Sequence, residues 1–166
     1  MNTAERSEIG ARLIRLERSE SRPAPLSVGD LMTTQVVTLS PRDSFAEAIK
    51  MMANRPFRHF LVVEDDGRLI GVVSDRDLLR ASARKSDWQR TIVADVMTRG
   101  AVTVRAMTPL SAATDLLLRH RINCLAVTDE RDKVIGIMTS TDLLKAFQSM
   151  QAELERDYDM KSARHG

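Results

Sequence analysis

This sequence predicts an α+β fold in which one β-α-β-β-α unit is used twice, and three observations support the prediction. Residues 28–81 align with residues 93–146 without a gap, 65 positions further on. Within each copy, short aliphatic runs alternate with stretches of helical periodicity. Each copy also closes on the same phrase, GVVSDRDLLR at 71–80 and GIMTSTDLLK at 136–145. A gapless repeat of this length means one supersecondary unit repeated. A unit near 60 residues buries only about 60% of its unfolded surface, so the copies are expected to share a core.

The elements follow in order. Val36–Leu39 reads as a short strand, and Ser40-Pro41 as a turn. Ser44 with Glu47 fits a capping box ahead of FAEAIKMMA, a helix with Phe45, Ile49 and Met52 on one side. In the second copy Thr108-Pro109 starts the equivalent helix, with proline at its favoured first position. HFLVVE (59–64) and CLAVTD (124–129) read as second strands, followed by tight turns at Asp65-Asp66-Gly67 and Glu130-Arg131-Asp132. LIGVVS (69–74) and VIGIMT (134–139) read as third strands, and helices carrying Leu78-Leu79 and Leu143-Leu144 close the copies.

This divides the chain into an N-terminal helical extension (1–27), copy one (28–84), a connector (85–92), copy two (93–149) and a C-terminal helical tail (150–166). The extension places Ile9, Leu13 and Leu16 on one face, and the tail does the same with Phe147, Met150, Leu154 and Tyr158. Both read as amphipathic helices that cover the end of the core or dock a second subunit or partner.

Composition excludes several functions. With 43% hydrophobic and 29% charged residues the chain is ordinary globular protein, and a net charge of +2 is too small to indicate nucleic acid. The basic stretches RLIRLER and KSARHG mix with acids, and aromatics are only 4%, so nucleic-acid binding is the weakest reading. The absence of a signal peptide or apolar span, with one cysteine, suits a cytoplasmic protein. His59, His120, His165 and Cys124 have no metal-ligand spacing, and no Walker-type or G-x-G-x-x-G loop occurs. No catalysis, metal or cofactor is expected.

The repeated corners Ser74/Asp77 and Thr139/Asp142 have two readings. A hydroxyl residue followed three positions later by an acid is a helix-capping pattern. Aspartate is shorter than the usual Glu or Gln of that box, which leaves room for a second role.

The doubled unit, with Met-Thr near its start and G-h-h-[ST]-x-x-D at its third strand, resembles the cystathionine-β-synthase (CBS) domain, and two in tandem resemble a CBS pair, or Bateman module. The resemblance spans about residues 28–149 with no larger domain attached. It implies copies packed with pseudo-two-fold symmetry, a homodimer of stacked pairs, and a regulatory module binding an adenine nucleotide between the copies. An ionised carboxylate can accept both ribose hydroxyls, while a serine or threonine hydroxyl and helix-start amides donate to phosphate.

Carried over by position, the resemblance sets Thr139, Thr141 and Asp142 against Thr33, Val36, Val37, Phe57, Arg58 and His59. The mirror cleft combines Ser74, Arg76 and Asp77 with Thr98, Ala101, Val102, Ile122 and Asn123. Arg58 and His59 stand where copy two has Asn123 and Cys124, so the Asp142 cleft is expected to take the more phosphorylated ligand. Leu61 and Ala126 replace a proline found in many members, which alters the base pocket. The competing function is a protein–protein interaction or dimerisation module whose clefts hold no ligand. The adenosyl ligand and the regulated partner are not named by the residues.

Overall fold

The computed structural model describes residues 26–84, 87–88 and 90–162. The expected N-terminal helix, RLIRLER and the terminal ARHG lie outside the described residues. Copy one holds helix α1 (Val28–Leu31), strand β1 (Thr38–Leu39), helix α2 (Phe45–Ala53), the hairpin β2 (His59–Val63) and β3 (Leu69–Ser74), and helix α3 (Asp75–Arg84). Copy two opens on a 3-10 turn (Val93–Asp95) and β4 (Thr98–Arg99). It continues with β5 (Thr103–Val104), α4 (Leu110–His120), β6 (Cys124–Thr128), β7 (Val134–Thr139) and α5 (Ser140–Ser162).

The repeat is visible in the register. Thr38 lies beside Leu61 in the parallel pair β1/β2, and Thr103 beside Ala126 in β5/β6. His59 faces Ser74 in one hairpin, and Cys124 faces Thr139 in the other. Both hairpin turns use a positive φ, supplied by Gly67 (83°) in copy one and by Asp132 (59°) in copy two. Aspartate tolerates this region better than most residues, so the missing glycine does not break the repeat.

Each copy lends its opening residues to the other. β4, from copy two, pairs with β3 of copy one, with Val72 opposite Thr98 and Gly71 opposite Arg99. Reciprocally, Thr33 of copy one bridges Ile137 on β7, exchanging two main-chain hydrogen bonds of 2.9 and 3.0 Å.

The expected shared core is therefore two cores with exchanged parts. Val93 and Met97 of copy two pack with Phe45, Phe60, Val62, Val73 and Leu78 of copy one. Val28 of copy one joins Val104, Leu117, Leu125, Val127 and Met138 of copy two. Neither copy buries its apolar face without the other, as expected for units this small.

Three local expectations change. The first strand is only Thr38–Leu39, because Val36 and Val37 leave the sheet to line the cleft between the copies. Ser44 forms no side-chain cap, since its segment is held instead by a bridge to Ile92 and by the amide of Phe45 donating to Thr91 (3.0 Å). Pro109 takes the N-cap position, one residue before the helix. The C-terminal tail continues the last helix of copy two, because nothing breaks helical geometry between Ser140 and Ser162.

Candidate functional site

The two predicted clefts lie in one continuous space of about 1160 Å³ between the copies. That volume accommodates a nucleotide-sized molecule. The strand exchange explains its walls: the Met-Thr segment of each copy runs along the third strand of the other, beside the other copy's corner. Copy one contributes Thr33, Val36, Val37, Phe57, Arg58, His59, Ser74, Arg76 and Asp77 to the lining. Copy two contributes Thr98, Ala101, Val102, Ile122, Asn123, Thr139, Thr141 and Asp142. Every residue that the resemblance set in the two clefts lines this one space.

At each corner a strand passes directly into a helix. β3 ends at Ser74 and α3 begins at Asp75, while β7 ends at Thr139 and α5 begins at Ser140. The aspartates cap these helices. Asp77 Oδ2 accepts the Ser74 amide at 2.9 Å and the Ser74 hydroxyl at 2.6 Å. Asp142 Oδ2 accepts the Thr139 amide at 2.8 Å and its hydroxyl at 2.6 Å. The same device appears at Ser27 and Asp30, with bonds of 2.8 and 2.9 Å. Though shorter than Glu or Gln, each aspartate completes the box: its carboxylate reaches the amide and hydroxyl of the N-cap residue from the third helical position.

The capping role consumes one oxygen and leaves the other. Among the described residues, Oδ1 of Asp77 and of Asp142 accepts no hydrogen bond, and both side chains are half-buried on the cleft wall. The amides of Ser74, Asp75, Arg76 and Asp77, and those of Thr139, Ser140 and Asp142, donate within the protein. Each corner therefore offers an uncommitted carboxylate oxygen, with two lone pairs, next to a helix N-terminus.

Charge is distributed unequally. Arg58 Nη1 lies 3.6 Å from Asp75 Oδ2, an exposed ion pair at copy one's own corner. His59 stands across from Ser74, and burial holds its imidazole below the usual value, with Asp75 and Asp77 pulling the other way. Burial pushes the buried Cys124 thiol up to about 11, with Asp77 adding to the effect. A protonated thiol in β6 packs as a small apolar group and is no nucleophile. Among the described residues, no group of three acids, histidines and cysteines could hold a metal ion, and no helix is long and apolar enough to cross a membrane.

Sequence reasoning missed Arg80 and Lys145, which also line the cleft. Each follows its corner aspartate by three positions, one helical turn along the same face, so the spacing carried the signal. Arg121 was missed for a different reason: it caps the end of α4 in the left-handed region (φ 52°), which aims a helix-terminal residue at the cleft.

The family model of the CBS domain matches residues 28–84 and 93–149. The CBS domain-containing protein YhcV of Bacillus subtilis is 37% identical over 118 residues, covering 70% of this chain and 82% of YhcV. CBSX2 of Arabidopsis thaliana, solved in complex with AMP, is 31% identical with a TM-score of 0.67, covering 76% of this chain and 98% of that one. The CBS domain pair of MJ0100, solved with 5-methylthioadenosine and S-adenosyl-L-methionine, is 25% identical with a TM-score of 0.67, covering 73% and 98%. Homoserine O-acetyltransferase of Methanococcoides burtonii is 35% identical over 117 residues, but the chain spans only 23% of that enzyme's length. A repeat that exchanges its opening strands around one cleft, matched over both copies, places this chain in the CBS domain family as a tandem pair.

Proposed function

We propose that this chain is a non-catalytic regulatory module that binds an adenosine-containing ligand in the cleft and passes that state to its own homodimer or to a regulated partner. The observation that carries the reading is the pair of corners whose aspartates keep one oxygen uncommitted beside a helix start. Such an oxygen accepts ribose hydroxyls, while the positive end of the helix dipole and the cleft-lining Arg76, Arg80 and Lys145 favour phosphate. Val36, Val37 and Phe57 on one side, and Ala101, Val102 and Ile122 on the other, supply apolar walls for a base. CBSX2 with AMP and the MJ0100 pair with adenosyl compounds support the ligand class. Because both copies build the cleft, a ligand that fits one relative orientation better than another shifts the population between them.

A melting screen with AMP, ADP, ATP, NAD and S-adenosylmethionine tests the reading. A true ligand at a hundredfold excess over its Kd adds about 2.7 kcal/mol of stability. Asp142→Asn should remove or strongly weaken that gain. Full stabilisation of the Asn variant removes the ribose role of Asp142.

A second reading, an assembly module with an empty cleft, is favoured by Leu118, Leu144 and Phe147, which expose 72%, 67% and 54% of their surface on α4 and α5. These residues suit helix-to-helix contact between two pairs. It predicts no stabilisation by any of these compounds.

A further inference from the structure

We infer that Asp75 sets the charge the ligand can carry, favouring neutral or cationic adenosyl compounds over nucleoside polyphosphates at copy one's corner. The inference rests on the ligand-binding reading above and deepens it. Asp75 and Arg58 both line the cleft and form an ion pair at 3.6 Å. The pair is open to water, with the Arg58 side chain 80% and the Asp75 side chain 47% exposed, so it is weak and exchangeable. Asp75 is also anchored in place: its amide donates to the Arg58 carbonyl at 3.1 Å, and its Oδ1 accepts the Arg76 amide at 2.8 Å.

The repeat supplies the contrast. The residues 65 positions on are Asn123 and Ser140, a neutral pair in which only the main-chain bond survives, the Ser140 amide donating to the Asn123 carbonyl at 3.0 Å. Copy two's corner thus presents Thr139, Ser140 and Thr141 as hydroxyls, with Asp142 as its one acid. Copy one's corner presents two acids, Asp75 and Asp77. Arg76 and Arg80 on the same helix draw anions from a distance. A phosphate that reaches Arg58, however, must displace Asp75 and then stand beside its carboxylate. That repulsion grows with each charge on the ligand. An adenosyl group with a thioether or sulfonium in place of phosphate meets no such repulsion.

Calorimetry with adenosine, AMP and ATP on the full chain tests this. Asp75→Asn keeps the acceptor for the Arg76 amide while removing the charge. Its expected effect is about fivefold tighter ATP, about twofold tighter AMP and unchanged adenosine, from a unit charge some 6–8 Å away in a wet cleft. Asp75→Glu should restore the original ranking, and adding Arg58→Gln to Asp75→Asn should cancel most of the gain. An Asp75→Asn protein that shifts all three ligands alike, or none, overturns the inference while leaving ligand binding intact. Failure of the unsubstituted protein to bind any of them overturns the proposed function, and this inference with it.

Discussion

A Cβ placed on Gly71 would lie 2.8 Å from the main-chain oxygen of Thr98 and 2.9 Å from the Met97 sulfur. Gly71 belongs to copy one, and both neighbours belong to the exchanged strand of copy two. The glycine of the repeated phrase is therefore there to let the borrowed strand approach. In copy two the same Cβ, on Gly136, would meet the Met32 sulfur at 2.8 Å and the Thr33 oxygen at 3.2 Å.

The two glycines should respond differently to alanine. At Gly71 the nearest obstacle is backbone, which cannot step aside, so Gly71→Ala should cost about 1–3 kcal/mol as overpacking. At Gly136 the nearest obstacle is a flexible thioether that can change rotamer, so the loss should be smaller. Urea unfolding of both variants measures the difference, and equal losses would contradict the ranking.

The caps should behave as coupled pairs. Ser74→Ala and Asp77→Ala should each cost about 1 kcal/mol in the ligand-free protein. The double variant should cost clearly less than their sum, because both remove the 2.6 Å bond between the two side chains. A double-mutant cycle by chemical denaturation reads this directly.

His59 should make stability fall in mild acid. Its folded pKa lies below the ordinary value of 6.5, chiefly because burial disfavours the charged form. The unfolded chain then binds more protons, so stability declines as the pH drops from above 6.5 through the folded value, and the effect vanishes above that window. His59→Gln should flatten this part of the melting profile. An unchanged slope would show that the imidazole does not titrate as its burial implies.

Cys124 should resist alkylation while the protein is folded. With its thiol pushed up to about 11 and its side chain buried, little thiolate exists near neutral pH. Iodoacetamide should label it slowly in native buffer and rapidly in denaturant, as followed by mass spectrometry. Fast native labelling would require an opening of β6.

Much of this was legible beforehand because the repeat carries its own register. The paired positions Met32/Met97, Gly71/Gly136 and Asp77/Asp142 could be read as one unit used twice, and periodicity placed the hairpins and the helices. Residue type and spacing also picked out the corner carboxylates, since a hydroxyl and an acid three positions apart reach each other within a single helical turn.

Other features could not be read this way, because they depend on contacts between residues far apart in the chain. The pairing of Thr33 with Ile137 across the two copies is one, and the continuity of the two expected clefts in one space is a second. The pairing of Arg58 with Asp75 is a further case: the sequence counted the arginine as positive charge for the Asp142 side, while the folded chain sets it 3.6 Å from an acid at copy one's corner. Local chemistry determined which groups this protein possesses. Only the packing of one copy against the other decided which of them face the same ligand, because electrostatics and hydrogen bonding act through distances that chain order does not encode.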